Sequence, residues 1–152
     1  CPISKFCVAY KSGRQLNYPM KIKKERVPHY TFVGCLIKEK NKILIQKRQD
    51  NMLNGLWEIP NKRVNNINYI NEELEYYINE RYGFDIYVKK QLGTVSHSYS
   101  HFKMKLILLE CKKVGDIKKS NQRYNWIKKS DISNYAFHKV NHKIFTLLEN
   151  DF

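Results

Sequence analysis

One helical segment, Ile70–Tyr82, stands between two groups of strand-like runs, and that order constrains the fold more than any other feature of the chain. Glu72, Glu73 and Glu75 lie in its early turns, Arg81 near its end, and Gly83 is placed to terminate it. Before it, Tyr30–Lys38 is rich in β-branched and aromatic residues, and Ile43–Arg48 follows across the short polar turn Glu39–Lys42. Leu56–Ile59 is a short apolar strand ended by Pro60. After the helix, Phe84–Lys90, Gly93–Ser96 and Phe102–Cys111 read as strands, the last carrying Leu106-Ile107-Leu108-Leu109, a run suited to the centre of a sheet. Arg123–Ile127 is a further short strand. Ser130-Asp131 is expected to cap a brief helical turn, and His138–Glu149 to close the chain as an amphipathic helix. No internal repeat interrupts the order β-β-β-α-β-β-β-β-α. It predicts an α+β fold, a largely antiparallel or mixed sheet with flanking helices.

Charge narrows the function. Twenty-eight Lys and Arg stand against fourteen Asp and Glu in 152 residues, a formal charge of +14. Self-repulsion on that scale points to a polyanionic partner, with a basic composition and no specific partner as the alternative. The hydrophobic fraction of 42% fits one globular domain and excludes a disordered tail. No apolar run approaches the ~20 residues of a membrane span and no signal-peptide pattern opens the chain, so no membrane partner is expected. Cys35 and Cys111 sit in apolar runs, where a buried free thiol is the usual reading. Nothing resembles a secreted disulfide framework, which favours a reducing, cytoplasmic setting. The chain starts on a cysteine without an initiating Met and is expected to be a fragment. Residues 1–28 carry little apolar periodicity. With the charged run Lys21-Ile22-Lys23-Lys24-Glu25-Arg26 and the prolines Pro19 and Pro28, they read as a tether.

Gly55-Leu56-Trp57-Glu58-Ile59-Pro60, followed by a helix ending Glu80-Arg81-Tyr82-Gly83-Phe84, resembles the frame of a Nudix domain, which implies an α/β/α sandwich. In that family several glutamates on one face of the helix hold divalent metals against a substrate pyrophosphate, because hard cations need clustered carboxylate oxygens. Here only Glu80 matches; Arg81 occupies the next acidic position, and Tyr76-Tyr77 replaces the preceding Arg-Glu pair. The usual glycines before the helix are missing as well, since Pro60 runs on into Asn61-Lys62-Arg63. One carboxylate beside a guanidinium cannot hold the metals. The resemblance implies the fold, and leaves a nucleotide pyrophosphohydrolase only as an alternative.

Between two of the strands lies His97-Ser98-Tyr99-Ser100-His101, with Phe102 and Lys103 beyond it. An ordinary connection with solvated histidines is the plain reading, and two His four apart with no Cys or acidic neighbour are weak evidence for zinc. The chemistry of a base reader is a third. Guanine presents N7 as an acceptor in the major groove; oxidised at C8, it presents N7–H, a donor. A Ser hydroxyl is small and rotates to accept from that edge. A flanking Tyr can wedge against bases, and His can bond base or phosphate.

The Nudix-like frame, the absent glutamates and this loop together resemble the C-terminal domain of MutY-type A/G-specific adenine DNA glycosylases. In that family a Phe-Ser-His element recognises 8-oxoguanine opposite the mispaired adenine; the matching residues are Tyr99, Ser100 and His101, with His97 beside them. Tyr124-Asn125-Trp126-Ile127, Asp131-Ile132 and Tyr135-Ala136-Phe137 resemble the family's closing strand and helix, with His138 standing where Pro is common. The front matches too. The family's four-cysteine [4Fe-4S] site ends in C-P-x4-C, then a Gly and a Tyr-Pro-x-Lys tether; here Cys1-Pro2 and Cys7 are followed by Gly13 and Tyr18-Pro19-Met20-Lys21. The resemblance therefore implies three parts: residues 1–7 as the end of the cluster loop, 8–28 as an interdomain tether, and 29–152 as the Nudix-like recognition domain. Cys1 and Cys7 would be the last two of four cluster ligands, and no cluster is expected in this chain alone. The implied partners are duplex DNA holding an 8-oxoguanine:adenine mispair and an N-terminal glycosylase domain that cleaves the adenine, leaving this chain non-catalytic. A nucleoid-associated place in a bacterium follows from the same resemblance. Lys47, Arg48 and Lys103 are candidates for phosphate contacts, with a solvated face as the alternative for each. A nonspecific nucleic-acid module remains the other rival.

Overall fold

The computed structural model describes residues 1–20, 26–115 and 124–149. Lys21–Glu25 of the expected tether, and Arg123 at the start of the expected last strand, lie outside the described residues.

Strand β1 (His29–Glu39) is the spine of a seven-stranded mixed sheet. Along one edge it pairs in parallel with β6 (Lys103–Val114), from His29↔Lys103 to Ile37↔Cys111. Its other edge is shared. The first half meets β4 (Asn61–Val64), and the end turns into β2 (Lys42–Lys47). β2 in turn carries β3 (Trp57–Glu58) and β7 (Tyr124–Lys128). β5 (Asp85–Ser98) pairs antiparallel with β6 on the far side. β6 thus lies between two strands, as its Leu106–Leu109 run predicts.

Three expectations of element order are corrected. β4 is an added strand, in the polar stretch Asn61–Val64 where none was expected. Phe84–Lys90 and Gly93–Ser96 are not two strands but one, whose ladder slips between Val88 and Lys90 and again between Gln91 and Gly93. Each slip is a bulge that interrupts side-chain alternation without ending the strand. Ser130 and Asp131 cap nothing: both lie inside a 3₁₀ turn, Lys129–Asn134, and the Ser130 hydroxyl donates to the Asp131 carboxylate at 2.8 Å.

Helix α1 (Val8–Lys11) and the 3₁₀ turns Ser4–Phe6 and Gln15–Asn17 bury no residue. α2 (Ile70–Tyr82) has the expected bounds and ends at Gly83, whose φ of 73° is the left-handed cap that glycine takes without strain. It packs Leu74, Ile78 and Tyr82 on one face of the sheet against Val33, Ile107, Leu109 and both buried cysteines, Cys35 and Cys111. α3 (Lys139–Leu147) packs Val140 and Ile144 on the opposite face against Leu36, Leu106 and Leu108. Alternate residues of β6 feed the two clusters, as the period of two requires. Burying each of these large side chains contributes about 1.5–3 kcal/mol. The result is an α/β/α sandwich. No helix among the described residues is long and apolar enough to cross a membrane.

Candidate functional site

β5 and β6 run on past the expected loop. His97↔Met104 and Ser98↔Lys103 are ladder pairs, so the connection is shorter than the sequence implies and spans Tyr99–Phe102. The Tyr99 amide donates to the Phe102 carbonyl at 2.8 Å and closes it. Tyr99 turns inward. Its ring stands 4.6 Å from His97, nearly perpendicular, and 4.8 Å from Phe102, which contacts Tyr30 at 5.5 Å. The Arg63 guanidinium covers the other ring of that chain, 3.6 Å from the Tyr30 centroid. Burial pushes the Tyr99 phenol above its ordinary value. His97 is held below its own, by burial first and then by the charges of Lys143, His138 and Lys139. The stack packs the turn from within and leaves Ser100 and His101 exposed at its tip.

A second place holds far more polar chemistry, and the sequence gives little sign of it. Where β4 and β2 splay from β1 there is a cleft of about 330 Å³, lined by Phe32, Gln46, Arg48, Glu58, Tyr77 and Arg81 among others. Gln46 and Glu58 are 3% and 4% exposed. The Gln46 amide nitrogen donates to Glu58 at 2.9 Å; its oxygen accepts from Arg81 at 2.9 Å, from Tyr77 at 3.2 Å and from the Tyr82 hydroxyl. The other Glu58 oxygen receives Arg48 at 2.7 Å and faces His138 Nε2 at 3.1 Å. Asn141, beside His138, accepts from the Ile59 amide at 2.9 Å and so ties α3 to the strand that carries Glu58. Burial pushes the Glu58 carboxyl up, but the His138 contact and the Arg48 guanidinium outweigh it and hold the group below its ordinary value. His138 Nδ1 is buried with no partner.

Arg48 therefore is not a free surface cation: its side chain is 15% exposed and also pairs with Asp50 at 2.9 Å. Lys47 and Lys103 are exposed. The tail residues brace the cleft from behind. Tyr135 stands edge-on to Trp57 at 5.2 Å, Phe137 packs on Phe145 at 4.9 Å, and the Trp57 amide donates to the Ala136 carbonyl at 2.8 Å.

The chain belongs to the NUDIX domain family. That family matches residues 32–147, more than half of the chain. The MutT protein from Methanosarcina mazei Go1 superposes with a TM-score of 0.71 at 21% identity, over 84% of this chain and 98% of that one. The C-terminal domain of mouse MUTYH, solved in complex with human PCNA, superposes with a TM-score of 0.62 at 16% identity, over 80% and 88% of the two chains. By sequence the chain is 24% identical to an adenine DNA glycosylase of Arabidopsis thaliana, over 70% of this chain and 21% of that protein. It spans about a fifth of that relative's length.

In a NUDIX domain, the face of α2 toward the cleft is where the metals belong. Here that face carries Tyr77 and Arg81, while Glu73 is drawn to Lys62 at 3.5 Å and Glu80 is exposed. The two carboxylates that line the cleft, Glu58 and Asp50, both lie on Arg48. Among the described residues no three His, Cys, Asp or Glu gather to hold a metal. This NUDIX domain does not fit the family's divalent metals, and no metal-assisted step follows from it.

Proposed function

We propose that this NUDIX domain is the lesion-reading part of an adenine DNA glycosylase, checking for 8-oxoguanine opposite the adenine that a separate catalytic domain removes. The observation that carries the reading is the Tyr99–Phe102 turn, which presents Ser100 and His101 to solvent on a braced stack while the side chains of the cleft are turned on one another. Likeness to an adenine DNA glycosylase and to the MUTYH C-terminal domain supports it. The Ser100 hydroxyl accepts from N7–H of the oxidised base and meets only a lone pair on guanine. His101 bonds base or phosphate beside it, with His97 and Tyr99 holding the turn. The net charge of +14 supplies the sequence-independent part of binding, and Lys47 and Lys103 are exposed to take part.

Cys1 and Cys7 belong to the same reading. Cys1 is exposed and Cys7 partly so, whereas Cys35 and Cys111 are buried in the core. On this reading Cys1 and Cys7 are two of the four thiolates that a [4Fe-4S] cluster requires. Such a cluster would take its other two from a longer protein, with residues 8–28 as the tether between its domains.

Binding to duplexes that differ only in 8-oxoguanine or guanine opposite adenine, at one fixed salt concentration, tests the proposal. Tighter binding to the lesion is expected, and its loss in Ser100→Ala. Equal affinity for both duplexes would leave only a basic nucleic-acid module.

A further inference from the structure

Three lysines elsewhere on the sheet and helix surface meet a carboxylate: Lys62 meets Glu73, Lys89 meets Glu110, and Lys113 meets Glu39. The end of the sheet beside the reading turn is different. Strand register puts Thr31, Lys105 and Ser96 in one row across β1, β6 and β5, and His29, Lys103 and Ser98 in the next. Both rows share a face by alternation, beyond the stretch that α2 covers. They line a cleft of about 410 Å³ closed at the β5 edge by Lys143, whose ammonium donates to the Ser96 carbonyl at 2.7 Å. No Asp or Glu lines it. Among the described residues, neither Lys103 nor Lys105 has an ion-pair partner, and the hydroxyls of Thr31, Ser96 and Ser98 have no side-chain hydrogen bond.

We propose that this face binds two successive backbone phosphates of the DNA strand whose base meets the Tyr99–Phe102 turn. Each row offers one ammonium flanked by hydroxyl or imidazole groups, a set that suits a phosphate diester: one charge to neutralise and non-bridging oxygens to receive hydrogen bonds. The rows are two residues apart along β6, about 6.8 Å, comparable with the step between neighbouring phosphates along one strand. A free anion would occupy one row only. The inference deepens the proposed reading and rests on it for the identity of the strand, since Ser98 and Lys103 are the residues immediately flanking the turn.

The test is the salt dependence of binding by the 152-residue chain, measured by fluorescence anisotropy on lesion and normal duplexes. In Lys103→Gln/Lys105→Gln the slope of log K against log salt should fall by roughly 1.8, equally on both duplexes, for two lost phosphate contacts. Lys112→Gln/Lys128→Gln removes the same charge from exposed positions at the other end of the sheet and should change the slope by well under one. An unchanged slope in the first variant, an equal drop in the control, or no salt-dependent binding by the parent chain overturns the proposal. A slope that falls while lesion preference is absent keeps the phosphate face and rejects the lesion reading; preference that survives with an unchanged slope does the reverse.

Discussion

The cleft under α2 and the turn beyond β5 are both polar, and they use polarity in opposite ways. In the cleft the groups are turned on one another, His138 Nδ1 excepted: Gln46 takes four neighbours, Glu58 takes Gln46, Arg48 and His138, and Asp50 takes what remains of Arg48. At the turn, Ser100 and His101 end in solvent, with an unpaired lysine face alongside. A buried network that is nearly saturated contributes to stability and has little left for a ligand; an unsaturated exposed one costs no stability and is free to bind. Substitutions in the first region should therefore change unfolding and spare recognition, and those in the second should do the opposite.

Glu58→Ala should break that comparison hardest if it is wrong. Removing the carboxylate leaves Arg48 with only the exposed Asp50 and takes a buried hydrogen-bond partner from Gln46 and His138, at about 3–5 kcal/mol of stability. Urea unfolding measures it, and DNA affinity below the lowered transition should be unchanged. The pH dependence has a definite sign. Because Glu58 is held below its ordinary value, its contribution is complete above the usual carboxylate range and is lost as pH falls through the depressed folded-state value. Glu58→Gln should flatten the stability curve in that acid window and nowhere else. A stable Glu58→Ala protein with altered DNA binding would show that the cleft, and not the turn, is the working site.

Tyr99 joins packing to recognition, since an inward ring holds outward neighbours. Tyr99→Ala should lower stability by about 2 kcal/mol from lost area and ring contacts, and should also abolish lesion preference. Tyr99→Phe keeps the stack and should keep both. Thermal melts and paired binding measurements separate the cases; preference surviving in Tyr99→Ala would mean that the turn needs no brace.

What could be read from the chain follows the range of the interactions concerned. α2 was legible because its signals are local, glutamates early and Gly83 at the end. β6 was legible because a continuous apolar run suits few places but a sheet centre. β4 was not, since Asn61–Val64 is held by pairing to β1 some thirty residues earlier and has no apolar alternation of its own. The bulges of β5 hid one strand as two for a related reason. Ser100 and His101 stood out as types in a short polar turn, whereas the inward packing of Tyr99 depends on Tyr30 and Phe102 together. The cleft network was the least visible part. His138 and Glu58 are 80 residues apart and meet only because α3 docks beside β3.

Ser100→Ala sharpens the other side of the comparison. One hydrogen bond to a base edge is worth about 1 kcal/mol, roughly fivefold in affinity, so the ratio between lesion and normal duplexes should fall by about that factor. Among the described residues the exposed hydroxyl has no hydrogen-bond partner, and the unfolding midpoint should not move. A drop in midpoint equal to the loss of preference would mean that Ser100 shapes the turn instead of reading the base.

The smallest effect, close to nothing, is expected from a divalent cation, and it bears on the cleft alone. A cation bound only by the folded state adds about 2.7 kcal/mol of stability at a hundredfold excess over its dissociation constant, a shift of several degrees for a domain of this size. Here Glu58 and Asp50 both lie on Arg48, and α2 turns Tyr77 and Arg81 to the cleft. To bind Mg2+ the two carboxylates would have to leave a guanidinium for an ion that prefers its own waters. Millimolar Mg2+ should then leave the melting temperature of the parent chain where it was. Arg81→Glu removes one cation and restores a carboxylate on the helix face, so any Mg2+-dependent rise should appear in that variant first. A rise in the parent chain would show that the network opens, that the cleft is still a metal site, and that the contrast between a closed and an open region does not hold.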